Sequence, residues 1–169
     1  VNDISALGDP AMAGVVRRSG AGLVLMHMRG EPRTMQHEPR YADVAAEVGM
    51  FLRERLKTAM ESGIPEDCLA VDPGIGFGKI TQHNIDLLRA FPGLDVGGRP
   101  WWIGVSRKRL LGDLTGRPVG ERLAAGLGAL AYAALNGAHV LRVHDVKESC
   151  DTARVVDDLS RDTDCHELD

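Results

Sequence analysis

Short apolar runs alternate with longer amphipathic segments along the chain. The runs at residues 22–27, 69–72, 101–105 and 139–143 are rich in Leu, Val and Ile and read as strands, with Val1 as the end of an earlier one. Each is followed by a helical pattern. Asp9-Pro10 is a capped helix start, and residues 41–61 place Val44, Val48, Phe51, Leu52, Leu56 and Met60 at helical spacing. Residues 81–91, 119–136 and 147–159 complete the series, with Leu123, Leu127, Leu130 and Ala134 striping the fourth helix. Strand-then-helix order predicts parallel strands under covering helices. The strand ends recur about every 35 residues, so eight units would take about 280 residues, the length of a (β/α)8 barrel. The 169 residues hold about five such units. A doubly wound open sheet is the competing arrangement.

Side-chain parity locates a site. Leu23/Leu25, Leu69/Val71, Ile103/Val105 and Leu141/Val143 share the phase that should meet the helices. The opposite phase carries Met26, Asp72, Gly104 and Arg142, then His144 just past its strand. Polar groups at the carboxyl ends of parallel strands are where such folds bind ligands.

Composition narrows the function. The chain is 44% hydrophobic and 26% charged, which suits one globular domain, read as residues 1–160 with a polar tail at 161–169. Twenty basic against 24 acidic residues leave a net charge of −4, which argues against a nucleic-acid partner. Only four of the twenty cations are lysines, so each lysine is worth inspecting. Cys68, Cys150 and Cys165 are odd in number, widely spaced and form no CxxC, which fits a reducing, cytoplasmic setting. The uncharged residues 123–141 are long enough for a membrane helix, but Gly126, Gly128 and Asn136-Gly137 interrupt them. No charged-then-apolar targeting segment opens the chain.

Three segments carry candidate chemistry. Asp72-Pro73-Gly74-Ile75-Gly76-Phe77-Gly78-Lys79 runs from a strand end into a glycine-rich loop. Pro73 and Ile80 break the phosphate-loop pattern, and the glycine spacing misses the dinucleotide fingerprint by one residue. Asp72 either accepts from a ligand's amino and ring N–H groups or caps its own turn. Gly104-Val105-Ser106-Arg107-Lys108 leaves the next strand with basic residues that hold an anion or a ring carbonyl, or are simply solvated. Arg142 and His144 share a face and suit phosphate, unless they form a buried, satisfied pair. His27 is not read as a metal ligand, because its strand phase points it outward and no HxH, HExxH or Cys/His cluster exists. His37, His83 and His166 read as loop or surface residues.

Taken with Val1-Asn2-Asp3-Ile4-Ser5, Leu25-Met26-His27-Met28-Arg29-Gly30 and Thr34-Met35-Gln36, these blocks resemble the dihydropteroate synthase family, in order and spacing from Val1 to about Leu159. The resemblance implies a (β/α)8 barrel, of which the chain carries about the last five βα units. It implies condensation of 6-hydroxymethyl-7,8-dihydropterin diphosphate with p-aminobenzoate to dihydropteroate and diphosphate, in folate synthesis, through a pterin-stabilised cation. By the same resemblance Asn2, Asp72 and Lys108 hydrogen-bond the pterin, and Met26, Phe77 and Gly104 line its pocket. Arg142 lies along the ring and joins His144 and Asn2 at the diphosphate, with Lys108, Arg142 and His144 as catalytic residues. Phe77, the Lys108 stem and Arg109 border p-aminobenzoate; Arg109 stands where many members have Ser. Magnesium, a homodimer through the late helices, and sulfonamides as inhibitors are also implied. The family's magnesium-binding Asn and closing loops belong to its first three units, so no metal ligand is assigned, and the chain as printed is expected to be inactive or nearly so. The alternatives are a pterin-binding methyltransferase barrel, which would lack the Ser106-Arg107-Lys108 and Arg142-Val143-His144 blocks, and a non-catalytic pterin- or anion-binding fragment.

Overall fold

The computed structural model describes residues 1–35 and 37–160, so the polar tail, Cys165 and His166 lie outside the described residues. In chain order the elements are β1 (Asn2–Asp3), α1 (Pro10–Ser19), β2 (Leu23–Met26), α2 (Val44–Glu61), β3 (Leu69–Asp72), α3 (Thr81–Ala90), β4 (Trp102–Ile103), α4 (Arg109–Thr115), α5 (Leu123–Leu135), β5 (Val140–Leu141) and α6 (Val146–Ser160). All strand pairings are parallel. β1, β2 and β3 form one sheet and β4 pairs with β5. A single bridge between Val71 and Trp101 joins the two sets into one row.

The expected helix-facing phase is the core. Leu23, Leu25, Leu69, Val71, Ile103 and Val105 belong to one buried cluster with Val48, Leu52 and Leu56 of α2 and Leu87 of α3. Val44, Val48, Leu52 and Leu56 recur every four residues, which turns one stripe of α2 inward. Full burial of each such side chain stabilises the fold by about 1.5–3 kcal/mol.

Boundaries differ from the expected ones for local reasons. The second helix begins at Val44 rather than at residue 41, because the Asp43 carboxylate caps Ala46 N–H (3.0 Å) while Glu47 reaches back to Ala42 N–H (2.8 Å). The expected single helix over 119–136 is a 3-10 turn at Val119–Glu121 followed by α5, interrupted at Arg122 (φ −93°, ψ 11°). α4 was not expected, since seven residues are too few to show a periodicity. The uncharged stretch is α5 and β5, and no described helix is long and apolar enough to cross a membrane. His83 is a half-buried residue of α3 whose ring packs edge-on against Tyr41 at 4.9 Å, not a loop or surface residue. His37 is exposed in a bend, as expected.

Candidate functional site

Met26 and Asp72 end β2 and β3 as direct partners in the parallel register, so the expected ligand-facing phase brings them side by side. Asn2, Cα partner of Val24, shares that phase on the edge strand β1. Gly104 and Arg142 follow the last residues of β4 and β5. The site residues thus line up across the carboxyl ends of the strand row, with Asn2 and Arg142 toward opposite ends of it.

Asp72 is 1% exposed. Its Oδ1 accepts from Gly74 N–H at 2.7 Å, so it does cap its own turn, while among the described residues Oδ2 takes no hydrogen bond. Burial raises the pKa of its carboxyl; the Gly74 hydrogen bond and the charges of Lys108, Arg142 and Lys79 oppose that shift. The turn needs glycine at position 74. Its φ is +68°, and a Cβ there would overlap the His27 carbonyl oxygen.

Lys79 holds the loop that follows. The residue is 3% exposed, and its ammonium donates to His27 Nδ1 (2.9 Å), Gly74 O (2.9 Å) and Phe77 O (3.0 Å). Desolvation lowers its pKa to about 7, against the pull of Asp72. His27 is buried with its ring edge-on to Phe51 of α2 at 4.9 Å, on the helix side as its phase implied. Burial first, then the Lys79 charge, lowers its pKa to about 3, so it is neutral. No three His, Cys, Asp or Glu side chains converge on a metal-sized gap among the described residues.

Lys108 enters from the exit of β4. Its Nζ lies 5.0 Å from the centre of the Phe77 ring and donates to Ile75 O. Burial lowers its pKa to about 8, with Asp72 opposing and Arg142 assisting. Arg107 does not face this cleft as a free cation. It pairs with Asp145 through Nη2 (2.5 Å) and Nε (3.3 Å). Ser106 Oγ binds His144 twice, at the backbone N–H (3.3 Å) and at Nδ1 (3.0 Å). Both contacts tie the exits of β4 and β5 together.

The cleft over these two exits holds about 580 Å³ of solvent space and is lined by Ser106, Lys108, Arg142 and His144 among others. Arg142 is exposed, and while its backbone N–H donates to Ile103 O (2.9 Å), its guanidinium makes no hydrogen bond or ion pair among the described residues. The buried, satisfied pair is therefore not what the structure contains. The Arg142 side chain passes over Gly104, where a Cβ would touch Nε at 3.5 Å. Arg109 is exposed at the start of α4, 3.6 Å from Asp113.

Residues 1–144 match the family described as pterin binding enzyme. The chain belongs to the pterin-binding enzymes. A dihydropteroate synthase of Escherichia coli is 40% identical over 157 residues, covering 93% of this chain and 56% of that protein. One from Neisseria meningitidis serogroup B is 42% identical over 160 residues, covering 92% of this chain and 56% of that protein. The chain thus spans little more than half the length of these relatives. Among solved structures, the Xanthomonas albilineans dihydropteroate synthase in complex with 7,8-dihydropteroate superimposes with a TM-score of 0.86 and 42% identity, over 94% of this chain and 58% of that one. A Yersinia pestis dihydropteroate synthase in a sulfonamide complex gives 0.90 and 35%, over 94% of this chain and 58% of that one. These matches bear out the resemblance read from the five motifs.

Sequence reasoning on this pterin-binding enzyme missed three residues with clear structural work. Lys79 was noted only as the end of a motif, Ser106 as one of a basic exit, and Arg122 not at all. The scarcity of lysine was the one signal that pointed at Lys79.

Proposed function

We propose that the chain is the pterin- and diphosphate-binding portion of a dihydropteroate synthase, a (β/α)8 barrel of which these five strands are the last five. The observation that carries this reading is the placement of a buried carboxylate with one unengaged oxygen, Asp72, and an unpaired cation, Arg142, at the same ends of β3 and β5, parallel strands with only β4 between them.

The chemistry follows from the placement. Asp72 Oδ2 accepts from the amino and ring N–H donors of the pterin, and Asn2 and Lys108 complete its hydrogen bonds. Met26, Phe77 and Gly104 border the ring. As the C–O bond to diphosphate breaks, negative charge gathers on the leaving group, where Arg142 and His144 stand with Asn2. Positive charge gathers on the pterin, where the Asp72 carboxylate compensates it. Ser106 orients the His144 ring for that task. The p-aminobenzoate nitrogen then captures the cation, with Phe77 and the Lys108 stem beside it and Arg109 toward its carboxylate. Relatives solved with 4-aminobenzoic acid and with 7,8-dihydropteroate support the arylamine substrate and the condensation product. Magnesium belongs to this reading as a partner of the diphosphate. The described residues offer no cage for it, so no step is routed through the ion.

A cytoplasmic setting and self-association through α5 and α6 complete the proposal. Leu123, Tyr132 and Leu135 of α5 and Val155 and Leu159 of α6 are exposed apolar residues, which favours a second copy as their cover. The decisive experiment is turnover of labelled p-aminobenzoate with the dihydropterin diphosphate by the protein that carries this chain within its full length. Dihydropteroate should form and fall sharply in Asp72→Asn and Arg142→Ala. Turnover unaffected by both variants would overturn the assignment.

A further inference from the structure

We infer that Arg122 is a positioning residue for the site: its guanidinium lies across α4, fixes the Ser106–Lys108 turn, and so aims Lys108 at the loop that carries Phe77. Arg122 spends its donors on backbone rather than on a carboxylate. Nη1 donates to Arg107 O (3.1 Å) and Lys108 O (3.3 Å), and Nε to Arg117 O (3.0 Å). Lys108 is the cap residue at the start of α4, and Arg117 follows its terminal Gly116. One side chain therefore spans the helix and holds both of its ends.

The seat for that side chain is built into α4. At Gly112 a Cβ would lie 2.6 Å from Arg122 Cζ and 2.7 Å from Nε, so any larger residue there would push the guanidinium out of this position. Glycine in a helix interior is unfavourable on its own, which makes the seat a feature that helix formation does not explain.

The turn being held also needs holding. Lys108 N–H closes it on Val105 O at 3.3 Å, and Arg107 sits within it at φ +58°, a conformation that favours glycine. The Asp145 pair holds the Arg107 side chain from outside, and Arg122 holds its carbonyl. If the turn relaxes, Lys108 loses its approach to Ile75 O and the Phe77 ring, and with it the place from which it faces Asp72 and Arg142. The functional weight of this inference rests on Lys108 being a pterin contact, as proposed above.

The test reads Lys108 directly. With four lysines in the chain, 13C-lysine labelling resolves Lys108 from Lys57, Lys79 and Lys147 in an NMR pH titration of the whole chain. In the unaltered protein burial should bring its titration down to about 8. Arg122→Ala and, separately, Gly112→Ala should each raise it by about one unit, tenfold in proton affinity, as the ammonium reaches solvent. Gly112→Ala keeps the Arg122 charge and favours the helix, so a shared shift reports position and neither lost charge nor unfolding. The double variant should shift no further than either single one. Lys108 unmoved in both variants, or two shifts that add, would overturn the role of Arg122. Calorimetry with 6-hydroxymethyl-7,8-dihydropterin runs beside it. Failure of the unaltered chain to bind would count against the functional reading, and the Lys108 titration would still decide the role of Arg122.

Discussion

Replacing Lys79 by Met removes a buried ammonium while keeping most of its volume, and the consequence depends on pH in a way the structure fixes. His27 Nδ1, Gly74 O and Phe77 O each lose a donor at 2.9–3.0 Å. Gly74 O keeps the Phe77 N–H, so two acceptors are left without partners, and at about 1–3 kcal/mol each this costs about 2–6 kcal/mol in all. Against this, burying the charge already costs the native protein. Its pKa falls from 10.5 to about 7, and at about 1.4 kcal/mol per unit that is about 5 kcal/mol at and below neutral pH. The two effects are similar in size at pH 7, so the variant should differ only modestly in stability there. At higher pH they separate. The unfolded chain keeps the Lys79 proton up to pH 10.5 and the folded chain releases it near 7, so unfolding takes up a proton in between and stability rises with pH. Lys79→Met lacks that rise. Urea unfolding of both proteins at pH 7.0 and 9.5 should show the deficit growing by about 3 kcal/mol. This window keeps clear of His27, which titrates in the acid range. A deficit that does not change with pH would refute the reasoning, since Lys79 would then keep its charge in the fold.

Other outcomes follow from the same groups. Asp72→Asn retains an oxygen for Gly74 N–H but presents an amide to pterin donors, so pterin affinity by calorimetry should fall about ten- to a hundredfold with little change in melting temperature. The reverse pattern would leave Asp72 as a turn cap alone. His27, with its pKa lowered to about 3, should stay neutral by NMR at pH 5, and stability should fall as pH drops from 6.5 toward 3, because the unfolded chain takes up the proton first. A His27 resonance titrating near 6.5 would show that it is not buried against Lys79. Sedimentation of the whole chain should show self-association that Leu135→Glu weakens, and a sharply monomeric profile at high concentration would oppose it.

The parallel strands and their helices were legible because strands buried on both faces show near-continuous apolar runs, and Leu25, Val71 and Ile103 do lie in the core. Parity then put Met26, Asp72, Gly104 and Arg142 in one phase, which needs no knowledge of loops, and the register sets Met26 beside Asp72. What escaped notice depends on three-dimensional closure. Lys79 reaches His27, 52 positions earlier, and Arg122 reaches back 14 and 15 positions to Lys108 and Arg107; neither spacing leaves a periodic trace. The basic exit was only half readable, since Arg107 is engaged by Asp145 on the next strand exit while Lys108 is not. Gly112 reads as a weak point in a helix until the guanidinium it admits is seen.

The most direct test of the central claim is calorimetric titration of the whole chain and of Arg142→Ala with two ligands, 6-hydroxymethyl-7,8-dihydropterin and its diphosphate. Arg142 is exposed and unpaired among the described residues, so removing it should leave the fold intact. The unaltered chain should bind the diphosphate more tightly. Arg142→Ala should lose about ten- to a hundredfold toward the diphosphate, the worth of a charge-assisted contact, and far less toward the diphosphate-free pterin. Equal losses toward both ligands, or binding of neither by the unaltered chain, would contradict an anion site at the exit of β5.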